Sequence, residues 1–112
     1  VAVMRIVYAG RTFLAGQDAV SLLIDYSAAL ARAGSADAVQ LRSIDPDGTV
    51  EEISFVIGAG IPLLGETSHA VGPGPVNVQA MEYMQRELDR LNAQRAPGGT
   101  GTGTGTGAGA ER

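Results

Sequence analysis

Along "VMRIVY", residues 3–8, Met4, Ile6 and Tyr8 alternate with Val3, Arg5 and Val7. Period-two alternation of β-branched and aromatic residues predicts a strand covered in part on both faces. "YAGRTF" then predicts a tight turn at Ala9-Gly10, with Gly10 at positive φ, and a short return strand over Arg11 to Ala15. The opening unit is a β-hairpin.

Gly16 breaks this pattern, and Asp18 is a suitable N-cap or first-turn acid. From Ala19 to Ala33 the period becomes helical. Val20, Leu23, Ile24, Ser27, Leu30 and Ala31 share one face, and Gly34 stands where a helix ends in a left-handed residue. Leu22, Tyr26, Ala29 and Ala33 form a second apolar stripe beside the first. Either the helix is covered from two sides within its own domain, or Leu22 and Tyr26 contact another chain.

"AVQLRSI-DPDGT-VEEISFVI" holds two strand patterns around a turn. Pro46-Asp47-Gly48 suits a three-residue connection, a type I turn followed by Gly48 in the left-handed region. That loop sets Asp45 opposite Thr49. The register then runs Ile44–Val50, Ser43–Glu51, Arg42–Glu52, Leu41–Ile53, Gln40–Ser54 and Val39–Phe55. One face becomes Val39, Leu41, Ile53, Phe55 and Ile57; the other carries Gln40, Arg42, Glu52 and Ser54. A slip by one residue would set Leu41 against Glu52 and destroy the separation. Arg42 and Glu52 are expected to form a cross-strand ion pair.

After Gly58 and Gly60, "IPLL" reads as a short edge strand or an irregular crossing, and residues 65–75 as loop. Asn77 is placed to cap a last helix from Val78 to about Gln94. Its apolar residues Met81, Met84, Leu88 and Leu91 make a narrow seam, with Glu82–Arg86 and Glu87–Arg90 as intrahelical pairs. The predicted order is ββ-α-ββ-(β)-α. That is an α+β domain, a small antiparallel sheet of two hairpins with two amphipathic helices.

The chain has 112 residues, enough for one domain. The expected fold occupies 1–96. Residues 97–112, with "GTGTGTGAGA", lack apolar side chains larger than alanine and are expected to be a disordered tail. Met4 reads as the natural start. Net charge is −4, and the eight strong bases are all arginine and scattered, so a nucleic-acid partner is not expected. The absence of cysteine excludes disulfides, thiolate ligands and cysteine nucleophiles. No apolar run approaches the roughly twenty residues of a membrane span, so no membrane partner is expected, and a cytoplasmic location is.

"GIPLLGET", Gly60 to Thr67, comes close to a phosphate-binding loop. Such a loop needs G-x-x-x-x-G-K-[ST] and a helix behind it. Here Glu66 reverses the charge at the lysine position, Pro62 removes an N–H donor, and Gly72 to Pro75 block a following helix. The dinucleotide pattern fails too, since Leu63 stands at the third glycine. Gly58 and Gly60 read instead as a kink that ends the strand and lets backbones approach. His69 is the single histidine and there is no cysteine, so a zinc site is not expected. Glu66, Thr67 and Ser68 are its neighbours within four loop residues, a spacing that seldom lets a hydroxyl, imidazole and acid converge as a triad. Glu51 and Glu52 point to opposite faces of a strand, and Asp45 and Asp47 are turn formers.

No cofactor and no catalytic or metal-binding residue is therefore expected. The sequence favours a small protein-interaction or oligomerisation module, most simply a homodimer. The candidate contacts are Leu22, Tyr26, Met81, Met84, Leu88 and Leu91. The alternative is a ligand-binding or enzyme-accessory domain with residues 58–75 as a lid and Arg11, Glu66 and His69 as polar contacts.

Overall fold

A computed structural model describes residues 3–68 and 74–95. The tail from 97 and His69 lie outside these described residues. Seven elements follow in chain order: β1 (Val3–Tyr8), β2 (Arg11–Gly16), α1 (Gln17–Arg32), β3 (Ala36–Ile44), β4 (Val50–Gly58), β5 (Leu64–Thr67) and α2 (Val78–Arg95). The strands form one antiparallel sheet in the order β4-β3-β2-β1-β5, and with the two helices the architecture is α+β.

The β3–β4 hairpin has the register that its turn chemistry dictates, from Ile44↔Val50 through Val39↔Phe55 and on to Ala36↔Gly58. The amide of Gly48 donates to Asp45 O, and that of Asp45 to Thr49 O at 3.0 Å. Gly48 has φ +91°. This is the type I turn with its bulge, and it fixes which residues face α1. The β1–β2 turn goes further than expected, because Ala9 as well as Gly10 is left-handed, with φ +52° and +79°. Two left-handed residues match the right-handed twist of a two-residue hairpin, so the strain at Ala9 is imposed by the loop length.

Sheet continuity is uneven. β3 and β4 pair over nine positions, whereas β2 and β3 meet at the single pair Leu14↔Ile44. The sheet also coils. Three strand spacings separate β1 from β4, about 14 Å if flat. Yet the ring centroids of Tyr8 and Phe55 are 5.3 Å apart, and the Tyr8 hydroxyl donates to Val56 O at 2.8 Å.

The concave face carries Ile6, Phe13, Ala15, Val39, Leu41, Phe55 and Ile57, and packs on Val20, Leu23 and Leu30 of α1. Gly65 of β5 makes room for this helix, since a Cβ there would lie 3.1 Å from Val20 Cγ1. α2 packs on α1 and on β3 and closes the core with Met84 and Leu91.

Several local expectations are corrected. Helix α1 starts two residues early, at Gln17, directly after β2, with Gly16 as a cap that has no side chain to bond. Asp18 keeps its place in the first turn, and Gly34 takes φ +68° behind the helix. Part of the expected loop 65–75 is strand. Leu64 to Thr67 pair with β1 and satisfy the edge that β2 does not cover. Arg42 and Glu52 face each other in register but form no ion pair; Glu52 instead accepts from the Gln40 amide at 3.4 Å. Glu87–Arg90 is present at 2.8 Å, whereas Arg86 lies over the Tyr83 ring, 5.8 Å from its centroid, instead of pairing with Glu82.

Candidate functional site

Asp37 has the parity of Val39 and Leu41 in β3, so alternation sends its side chain to the concave face. There it meets tyrosines from both helices. The Tyr26 hydroxyl donates to Asp37 Oδ2 at 2.5 Å, and the Tyr83 hydroxyl to the same oxygen at 2.6 Å. Oδ1 accepts from the Ala38 amide at 2.8 Å. The two phenol rings stand edge to face with centroids 6.4 Å apart. α1, β3 and α2 are thus tied at one carboxylate.

The titration of this cluster runs away from neutrality in both directions. Burial pushes the Tyr26 hydroxyl up, and its bond to Asp37 raises it further. The Tyr83 hydroxyl is raised mainly by its bond to Asp37. Burial works to raise the Asp37 carboxyl, but the bonds from Tyr26, Tyr83 and the Ala38 amide, with the charge of Arg90, hold it below the usual carboxylate value. A general acid or base works best with a pKa near the operating pH. These three groups are fixed as two donors and one acceptor, which suits a latch.

A second polar contact joins the start of α2 to the sheet. The Asn77 side chain accepts from the Arg42 amide at 2.8 Å and donates to Arg42 O at 3.0 Å. These backbone groups point away from β4, towards the place where β2 has already diverged. Asn77 supplies there the bonds a neighbouring strand would have made. Its expected role as a helix cap is met by its backbone, whose carbonyl accepts from the Met81 amide at 2.9 Å, while its side chain serves the sheet.

Of the expected partner contacts, Tyr26, Met84 and Leu91 are buried by the chain's own elements. Leu22, Met81 and Leu88 pack partly buried against the core. The apolar seam of α2 and the second stripe of α1 are largely used on each other.

Of the expected ligand contacts, Arg11 and Glu66 are apart, and His69 lies outside the described residues. Glu66 is engaged with Arg5 at 2.7 Å. Arg11 lies over the Phe13 ring at 4.7 Å, on the far side of β1 from β5. Among the described residues, no cluster of three or more acidic, histidine or cysteine side chains could hold a metal ion, and no helix is long and apolar enough to cross a membrane. Two open grooves among the described residues bear on a ligand. One, of about 360 Å³, lies between β3–β4 and the start of α2 and includes Gln40, Arg42, Glu52 and Val78. The other, of about 390 Å³, is lined by Met4, Ser21, Ile24, Asp25, Leu63, Leu64 and Gly65.

The remaining feature is an edge. β4 is nine residues long, ends the sheet, contains no proline, and carries Glu51 and Glu52 as its only charges. Val50 and Val56 on it are each about half exposed, at 52% and 50%. The hydrogen-bond phase set by the turn directs the backbone of Glu51, Ile53, Phe55 and Ile57 to β3. The peptide groups of Val50, Glu52, Ser54 and Val56 therefore face outwards. Tyr8 occupies one position on Val56 O. Sequence reasoning missed both the latch and this edge as a site. The signal for the latch was an acid at concave-face parity beside Val39 and Leu41.

No protein-family model, no curated protein and no solved structure matches this chain.

Proposed function

We propose that this chain is a small non-catalytic interaction module of the cytoplasm, which associates with itself through the open edge of its sheet. The observation that carries this is β4, a nine-residue edge strand with half-exposed Val50 and Val56. A strand of this length at a sheet edge is a template for another strand; β4 has no proline to block it, and its charges are the adjacent Glu51 and Glu52 alone. The inward use of Tyr26, Met84 and Leu91 moves the contact surface away from the helix seam, leaving Leu22, Met81 and Leu88 as flanking positions at most. Sedimentation velocity across micromolar concentrations, with a pull-down from native lysate, tests the idea. A concentration-dependent dimer supports it; a monomer throughout, with nothing retained, overturns it.

A second function draws support from the groove beside β5. Leu63 and Leu64 form one wall, Ile24 another, and the carboxylate of Asp25 belongs to the lining. Such a groove suits a small apolar ligand carrying a positive charge. Chemical-shift changes confined to Ile24, Leu63 and Leu64 on titrating an alkylammonium probe would support this. An unchanged spectrum at millimolar probe would dismiss it.

A further inference from the structure

The outward peptide groups of β4 allow only a few ways for two copies to pair, and the side chains choose among them. Two antiparallel copies related by a two-fold axis pair residue i with a residue whose number makes a constant sum with i. The axis can pass through Glu52, Ile53 or Ser54. Centred on Glu52 is not a combination that pairs unlike groups, because it sets the two Glu52 carboxylates directly opposite each other, and like charges at that spacing repel. Centred on Ser54, pairing runs from Val50 to Gly58 and leaves neither half-exposed valine against the other. It would also set Val56 against Glu52 and Val50 against Gly58. Centred on Ile53, Val50 faces the partner's Val56 twice, Glu52 faces the partner's Ser54 twice, and pairing runs from Val50 to Val56. The two half-exposed valines cover each other, and no glutamate meets a glutamate.

We infer that a second copy of this chain pairs antiparallel along β4, in the register centred on Ile53, to give one continuous ten-stranded sheet. This rests on the self-association proposed above. The four outward pairs supply about eight backbone hydrogen bonds, two from each. Val56 O takes its inter-chain bond in addition to that from Tyr8, since a carbonyl has two lone pairs. Ile53 lies on the axis as a non-hydrogen-bonded pair, with Cα atoms about 4.5 Å apart.

That spacing makes the register testable by cross-linking. The chain has no cysteine of its own, so single-cysteine variants of the full chain report without background. Ile53→Cys is expected to convert to a disulfide-linked dimer under mild oxidation, because about 4.5 Å lies within disulfide reach. Ser54→Cys is expected to stay unlinked, because its own copy lies on a diagonal about 7–8 Å away. A third variant, Ser54→Pro, deletes an outward N–H without touching the β3 ladder. It is expected to sediment as monomer with its circular-dichroism spectrum intact. Cross-linking of Ser54→Cys in place of Ile53→Cys overturns the register. A wild-type dimer whose Ile53→Cys form stays unlinked also overturns it, yet leaves self-association standing. A wild-type monomer removes both.

Discussion

The hydroxyls of Tyr26 and Tyr83 meet on a single carboxylate oxygen, although the residues lie on different helices. Asp37 Oδ2 accepts both, so the two phenols compete for nothing and share one acceptor. Tyr26 is nearly inaccessible, at 1% exposure, and its hydroxyl has no solvent to fall back on. Removing the acceptor therefore costs more than removing one donor. Asp37→Ala should destabilise the chain by about 1–3 kcal/mol, the cost of a buried donor left unpaired. Tyr83→Phe should cost about 0.5–1.5 kcal/mol, the net worth of one hydrogen bond. In urea titrations of the two single variants and the double, the costs should fall short of adding. Strict additivity would mean that the contact is not energetically shared.

The same cluster sets two limits on pH stability. The Asp37 carboxyl is depressed in the folded chain, so its contribution is complete above its unfolded value, near 3.8. It is lost as the pH falls through the lower folded value. Tyr26 and Tyr83 are raised, so theirs is complete below the unfolded value of 10.0 and is lost as the pH rises above it. Thermal unfolding from pH 2 to pH 11 should show a fall at each end. Asp37→Asn should flatten the acid limb, and Tyr26→Phe the alkaline limb. An acid limb unchanged in Asp37→Asn would assign it to other carboxylates.

The two ends of β3 differ in how far the sequence reveals them. The turn at Pro46-Asp47-Gly48 and the alternation beside it are local, and they fix the whole β3–β4 register. The opening hairpin, the left-handed Gly34 and the second helix were legible for the same reason. The latch was not, because its three residues are separated by 11 and 46 positions and nothing local marks them as neighbours. Asn77 misled in a different way. An asparagine before a helix reads as a cap, and only the early divergence of β2 gives its side chain a better partner. The half-exposed β4 edge depends on strand order, which local pattern leaves open.

Ser43 sits at the same parity as Asp37 but without its partners. It is fully buried, and its hydroxyl has no hydrogen-bond partner among the described residues. Burying an unpaired hydroxyl costs about 1–3 kcal/mol. Ser43→Ala should therefore be neutral or stabilising by up to about 1 kcal/mol, since it trades that cost against a small cavity. A clear drop in the urea midpoint would reveal a partner for the hydroxyl.

Ala9 carries the strain of the first turn at φ +52°, and it is exposed. A left-handed alanine costs about 1–2 kcal/mol, and asparagine tolerates the conformation better. Ala9→Asn should raise stability by about 0.5–1 kcal/mol, with the flanking pairs Tyr8↔Arg11 and Val7↔Thr12 kept. A lower melting temperature would mean that Ala9 makes a contact worth more than its strain.

Gly58 ends β4 under two constraints that Gly60 does not share. Both have positive φ, +123° and +75°, but only Gly60 is near the left-handed α region that an L residue can reach. A Cβ on Gly60 would meet nothing within 4 Å, whereas one on Gly58 would collide with Ser35 O and lie 2.9 Å from Ala36 Cα. Those are backbone atoms, held by the bond from Ala59 N to Ser35 O at 3.0 Å, and the Leu30 side chain closes the remaining space. Gly60→Ala should thus cost only its backbone strain, about 1–2 kcal/mol. Gly58→Ala adds overpacking, about 1–3 kcal/mol more. Gly58 also has a φ well outside the left-handed region, so the excess cost of Gly58→Ala over Gly60→Ala in urea midpoints reports that φ together with the close approach of β4 to the turn after α1. Equal costs would show that neither the wider φ nor the close approach adds to the cost at Gly58.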